Sequence, residues 1–242
     1  MTQVQNNQEG MKVQDDRNEI LELYKDLRVT DVRDGLDWIG YHHYGSVHHS
    51  IRPLWRTKVV GIAHTSRYLP FEGPVPKLTP EEYTAWSGMY YNEICHDPWH
   101  GSIQPGDFMV FDVCGLDVGL LGSNNTLAAY SKGVVGFLTN GGGIRDTDEV
   151  ILQKIPVWSQ FISQGMDQCR IRFYEENVPV AIGGVAVYSG DIVVADGDGV
   201  VIVPRKVARD VAKYAHQELR GDKASRRAMY EKLGWELDET VL

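Results

Sequence analysis

Apolar residues in the first part of the chain recur at helical spacing. Ile20, Leu23, Tyr24 and Leu27 fall on one face and predict a helix starting near Asp16, a suitable N-cap. Thr30 is placed to cap a second helix running through Val32 and Leu36 to Gly40. The period is lost from Tyr41 to His49, after which the β-branched stretch Lys58 to Tyr68 predicts a strand. A proline-rich excursion from Pro70 to Pro80 ends in Thr79, Pro80 and Glu82, a capping box with proline at the first helical position; Tyr83, Trp86 and Tyr90 then share a face up to Cys95. Two further runs, Asp107 to Val113 and Val134 to Thr139, are apolar on nearly both faces, as strands covered on both sides are. Asn124 to Lys132 between them reads as a helix capped by Ser123, so the two strands are expected to be parallel, joined by a right-handed crossover. Near the end, Asp191, Asp196 and Asp198 stand beside glycines in a valine-rich pattern and predict tight turns. A last helix from about Arg205 sets Val207, Val211 and Tyr214 on one face.

Composition narrows the class. With 242 residues, 43% of them hydrophobic and 24% charged, the chain is expected to bury roughly 70–75% of its unfolded surface and to need no staples. The formal charge of −9 repels phosphate backbones and argues against nucleic acid as a partner. Cys95, Cys114 and Cys169 lack paired spacing, which argues against a disulfide framework or zinc ribbon and predicts core positions. No apolar run approaches the ~20 residues of a membrane helix, and the opening residues lack a signal-peptide pattern, so a cytoplasmic location and no membrane association are expected. Residues 1–15 are polar and without period and predict a flexible tail, leaving residues 16–242 as a single domain.

The candidate chemistry lies where the parallel strands end. Their C-terminal ends share one sheet edge, so Gly119 to Asn125 and Asn140 to Asp146 should converge there, where open α/β sheets hold ligands. The helix start at Asn124 and Asn125 offers free N–H groups to an anion, and the Gly141-Gly142-Gly143 turn delivers Arg145 and Asp146 beside it. Taken alone, an Arg-Asp pair also suits an exposed ion pair at a helix start.

Beyond about Thr30 the segments DVRDGLDWIG, IRPLW, KVVGIAHT, PGDFMVFDV, GSNNTLAAYSKGVVGF, GGGIRD and VPVAIGGVAVYSGDIVVADGDGVVIVPR resemble the RraA-like family, which includes 4-hydroxy-4-methyl-2-oxoglutarate aldolases. The resemblance implies an α/β fold, a layered ββα sandwich of the swapped phosphohistidine-domain type, assembled as a homotrimer or a dimer of trimers with sites at subunit boundaries. It implies Asp146 as ligand of a divalent metal, Mg2+ or Mn2+, and Arg145 as the group holding the carboxylate of a small 2-oxo acid. Gly122, Asn124 and Asn125 are implied as further substrate-binding positions. The implied activity is carbon–carbon lyase chemistry, either retro-aldol cleavage of a 4-hydroxy-2-oxo acid or decarboxylation of the oxaloacetate type through a pyruvate enolate. A planar guanidinium suits a carboxylate, and a hard dication suits oxygen donors and water.

Two departures from the family pattern stand out. Catalytic relatives carry a carboxylate where this chain has Ser123, a weaker candidate for the catalytic proton acceptor. Ser123 also stands twenty-two positions before Arg145, one more than the family spacing, which the third glycine accounts for. The segment from about residue 70 to 104 is an insertion carrying His96, Asp97, Trp99 and His100, of which the two histidines, four apart, are candidate ligands or bases. Pro98 between them disfavours a helical metal-ligand pair, so packing or a substrate-shaping lid is the plainer reading. His42, His43, His48 and His49 match no metal motif and read as polar interface, together with the aromatics Trp38, Tyr41 and Tyr44. The rival to an enzyme is a regulatory protein of the same family that binds rather than cleaves. A lyase with a sugar-acid-like substrate, its base supplied from the inserted segment, is the third reading.

Overall fold

The computed structural model describes residues 16–242; the tail expected at residues 1–15 lies outside them. Residues 16–24 form α1, followed by α2 (Val29–Trp38), β1 (Arg52–Pro53) and the long β2 (Val59–Pro70). The segment expected as an insertion contributes α3 (Pro80–Met89), a π turn over Tyr90–Ile94 and a 3-10 turn over Pro98–Gly101. Then come β3 (Asp107–Asp112), α4 (Ser123–Tyr130), β4 (Gly136–Asn140), α5 (Thr147–Leu152) and β5 (Val157–Ser159). The short strands β6 (Ile171–Glu176), β7 (Val180–Ile182), β8 (Val185–Val187), β9 (Ile192–Ala195) and β10 (Val200–Val203) lead into α6 (Ala208–Leu233).

Eight strands make one mixed sheet in the order β1-β5-β4-β3-β2-β9-β10, with β6 joined to β2. As the apolar runs predict, β3 and β4 are parallel, and β2 and β5 join them in the same sense. β2 is the pivot, because β9 pairs with its first residues, β6 with its last, and β3 with residues between. A β-bulge between Arg67 and Tyr68 accompanies the hand-over to β6.

Alternation along the strands explains why they look apolar on both sides. Met109, Phe111, Phe137 and Val157 face one core cluster, while Ile62, Val194, Val201 and Val203 on the same sheet face meet α1, α2 and α6 in a second. The opposite residues, among them Val110, Leu138, Trp158, Val193 and Ile202, pack under the β7–β8 hairpin. Helices therefore cover one face and a small β layer the other, the ββα layering expected.

Several local expectations change in the folded chain. Asp16 is already helical and pairs with Arg205 and Arg209 instead of capping. The second helix starts one residue before Thr30, because the Asp31 carboxylate takes the Arg28 backbone N–H at 2.9 Å and also its guanidinium, making Arg28 the N-cap. Gly122 rather than Ser123 caps α4, which ends at Tyr130, short of Lys132. Only Cys95 is a core residue, since Cys114 is exposed and Cys169 half-buried. The capping box at Thr79 forms as read, with Glu82 accepting from the Thr79 N–H at 2.9 Å. The turns at Asp191 and Asp196 are structural: Asp191 accepts backbone N–H groups of Tyr188 and Arg205, and Asp196 those of Val29 and Asp198. Among the described residues no helix is long and apolar enough to cross a membrane.

Candidate active site

The site is built where β3 and β4 end. Leu121 and Ile144 form a parallel bridge, with the Leu121 N–H donating to the Gly143 carbonyl at 2.8 Å and the Arg145 N–H to the Leu121 carbonyl at 2.9 Å. Gly119 bridges Met166 in the same sense, so three loops are laced side by side. The glycine turn is close-packed rather than merely flexible. Gly141 and Gly143 take φ of +78° and +73°, and a β-carbon at Gly142 would overlap the Ser163 hydroxyl. This packing aims residues 145 and 146 outward.

Asp146 itself is left-handed, φ +56°, a conformation that costs a non-glycine residue about 1 kcal/mol and that the surrounding loop must hold. Its Oδ2 accepts the Ser123 N–H at 3.2 Å, at the start of α4. A β-carbon at Gly122 would overlap this carboxylate, so the bare glycine makes its room. Arg145 stretches its stem over Gly119, and its Nε lies 3.8 Å from Asp146 Oδ1. That ion pair is loose and partly exposed, leaving the planar fork available to a ligand.

These side chains open on a cavity of about 440 Å3 lined by Gly119, Gly122, Asn124, Asn125, Arg145 and Asp146, together with Tyr91, Asp97, His100 and Asp167. Arg145, Asp146, Gly122, Asn124 and Asn125 thus come together as the sequence suggested. Ser123 contributes its backbone N–H to Asp146, and its side chain is not among the lining groups. His100 lines the cavity, stacked on Trp99 with ring centroids 3.8 Å apart, whereas His96 lies on the ring of Phe173. The two histidines serve different surroundings.

Sequence reasoning named Asp97 only as part of the inserted segment, with no role of its own, and missed Asp167 and Tyr91. Asp97 Oδ1 accepts the Tyr68 hydroxyl at 2.7 Å, and burial pushes its carboxyl up to about 6. Asp167 is buried, accepts the Tyr91 hydroxyl at 2.8 Å, and is also raised by burial. Burial holds the His100 imidazole below its ordinary value, with Lys132 adding to it. Only the neighbouring histidines signalled that the insertion carried polar chemistry; nothing local marks Asp167.

A larger cavity, about 580 Å3, lies at the opposite end of β3. There His64 Nδ1 is 3.0 Å from Asp107 Oδ2, and Arg17 is 2.7 Å from the other Asp107 oxygen. Its charges are largely spent on one another, and they fasten α1 to the sheet.

Residues 29–202 match the model of the RraA-like family, Aldolase/RraA. The chain belongs to the RraA-like family. A family relative from Halalkalibacterium halodurans, named "Putative 4-hydroxy-4-methyl-2-oxoglutarate aldolase", is 28% identical over 127 residues, 52% of this chain and 60% of that protein. The match therefore spans less than two thirds of the relative's length. Among solved structures, an uncharacterized protein from Pseudomonas syringae pv. tomato shares the RraA-like fold at TM-score 0.71 and 23% identity, covering 93% of this chain and 98% of that one. Streptomyces coelicolor RraAS2, described as an unusual member of the RNase ES inhibitor RraA protein family, is similar at TM-score 0.68 and 26% identity, covering 86% of this chain and 96% of its own.

Proposed function

We propose that this RraA-like chain is a divalent-metal-assisted carbon–carbon lyase for a 2-oxo acid. The observation that carries the reading is the gathering of Arg145, Asp146, Asn124 and Asn125 on one cavity at the C-terminal edge of parallel strands. The donor set fits Mg2+ or Mn2+. A hard cation of this kind accepts one or two carboxylates and keeps several waters, and Asp146 would hold it by its carboxylate in a polar cavity, in room that the bare Gly122 leaves. When bound there, the metal supplies Lewis-acid stabilisation of charge developing on the 2-oxo oxygen.

The chain's own residues do the rest. Arg145 grips the substrate carboxylate through two parallel N–H donors and fixes the angle at which the 2-oxo group enters. The first N–H groups of α4 and the Asn124 and Asn125 side chains line the same wall and hold polar oxygens of the substrate. Retro-aldol cleavage needs a proton acceptor for the substrate hydroxyl, while decarboxylation does not.

Two variants measured together test the reading. Asp146→Ala is expected to abolish manganese binding in calorimetric titration and metal-dependent turnover. Arg145→Lys keeps charge but loses the two-point grip, and is expected to lower kcat/KM roughly ten- to two-hundredfold, the worth of one charge-assisted hydrogen bond of about 1.5–3 kcal/mol. Both variants fully active, with manganese bound as tightly as by wild type, would withdraw the metal and the mechanism. A second reading, a binding protein that regulates rather than cleaves, is favoured by Ser123 in place of a carboxylate and by the likeness to RraAS2. It predicts no turnover of any 2-oxo acid.

A further inference from the structure

The insertion that interrupts the family pattern does not lie loose on the surface. Tyr90, Cys95 and Trp99 are at most 1% exposed and belong to the main core cluster, and the Lys132 ammonium after α4 donates to the His100 carbonyl at 2.8 Å. Its 3-10 turn is thereby pinned to the chain just past the end of α4, and Asp97 stands in the wall of the cavity that holds Arg145 and Asp146. A buried relay orients that carboxyl: the Trp99 indole N–H donates to the Tyr68 hydroxyl at 2.9 Å, and the Tyr68 hydroxyl donates to Asp97 Oδ1 at 2.7 Å. The buried carboxyl of the wall, Asp167, has one oxygen held by Tyr91 and the other approached by the Cys95 thiol at 3.7 Å.

We infer that Asp97, delivered by the insertion, is the proton-transferring carboxylate of this site, standing in for the one absent at Ser123. The inference rests on the lyase reading. With a 4-hydroxy-2-oxo acid held by Arg145, Asp97 takes the C4 hydroxyl proton. The freed O–H electron pair becomes the C4 carbonyl π bond, and the C3–C4 bond breaks. Its pair forms the C2–C3 double bond of the enolate, with the negative charge on the C2 oxygen. Return of the same proton from Asp97 to C3 yields the shorter 2-oxo acid and restores the carboxylate. No oxidant, reductant or further reactant is consumed. The microenvironment agrees with the role, since burial and the Asp167 charge raise Asp97, against the opposing pull of Tyr68, Trp99 and His96, into the range where a base works best near neutral pH.

The test uses the last step run backwards, which needs no knowledge of the substrate's tail. Pyruvate with Mg2+ is incubated with the full chain in deuterated water, methyl-proton loss is followed by NMR, and pyruvate binding is measured separately by calorimetry. Wild type is expected to bind pyruvate and exchange its protons, with the rate falling as pH drops through about 6. Asp97→Asn should bind pyruvate within about threefold of wild type yet exchange at least a hundredfold more slowly. Asp97→Asn exchanging at the wild-type rate, or a wild-type rate flat from pH 5 to 7.5, overturns the inference and leaves the lyase reading intact. Wild type that binds pyruvate without exchanging it also overturns the inference. Wild type that fails to bind pyruvate overturns the lyase reading and the inference with it.

Discussion

Asp97 illustrates how one half-buried carboxyl joins stability to chemistry. Its folded-state value of about 6 stands above the ordinary 3.8, so the folded state holds this proton more tightly than the unfolded chain. The stabilisation tied to that proton is fully present below about pH 4 and is lost as pH rises through 6. An amide cannot ionise and still accepts the Tyr68 hydroxyl. Asp97→Asn is therefore expected to be more stable than wild type at pH 7.5, by about 1–3 kcal/mol, and nearly equal to it at pH 4. Urea denaturation at the two pH values checks this, and equal stability at both would mean that Asp97 lies in a wetter place than its burial implies. A residue that weakens the fold at working pH is the pattern of a functional group rather than a packing one.

At the scale of elements, the segment read as packing or a lid is packed, and it forms a wall of the cavity. Its capping box and aromatic face were legible because both are local: Thr79 and Glu82 bond each other, and Tyr83, Trp86 and Tyr90 stack in series at 5.5 Å. Its position was not legible, because the contacts that fix it run to Phe111 and Tyr68 in strands far along the chain. Trp99 is the residue on which this docking turns. Trp99→Ala leaves a large void and takes away one of the two partners of the Tyr68 hydroxyl, and is expected to cost about 3–5 kcal/mol, measurable by thermal unfolding. A loss below about 1 kcal/mol would return the segment to the status of a mobile flap. Element starts were misread for a related reason: side chains from elsewhere in the fold, such as Asp146 at the Ser123 N–H, took positions that a local cap was expected to fill.

At the scale of the whole molecule, the surface retains apolar side chains that a lone subunit leaves in water. Leu152, Ile162, Met166 and Trp38 are 82%, 56%, 40% and 59% exposed, and Met166 belongs to the loop laced beside Gly119 at the candidate site. Trp38 is steadied by Tyr214 and donates to Glu218 at 2.7 Å, so it stands ordered rather than loose. The resemblance implies subunit boundaries at the site, and Met166 offers one exposed apolar side chain beside it. Light scattering at micromolar concentration is expected to give a trimer or a hexamer. A monomer would remove the shared site and leave the 440 Å3 cavity to serve alone.

The sequence by itself determined what depends on neighbours within a few residues. The apolar periods of β2, β3 and α6, the parallel pair joined through α4, the glycine turn and the Arg145-Asp146 doublet were all readable, because alternation, helical spacing and turn chemistry act over one or two turns of chain. Tertiary structure decided which distant groups meet. It gave β2 three partner strands, brought the distant carboxylates Asp196 and Asp146 to the starts of α2 and α4, separated His96 from His100, and brought Asp97 and Asp167 to the cavity of Arg145. Those outcomes turn on burial and on hydrogen bonds between residues tens of positions apart, as in the 29 positions between Tyr68 and Asp97, and no local pattern encodes them.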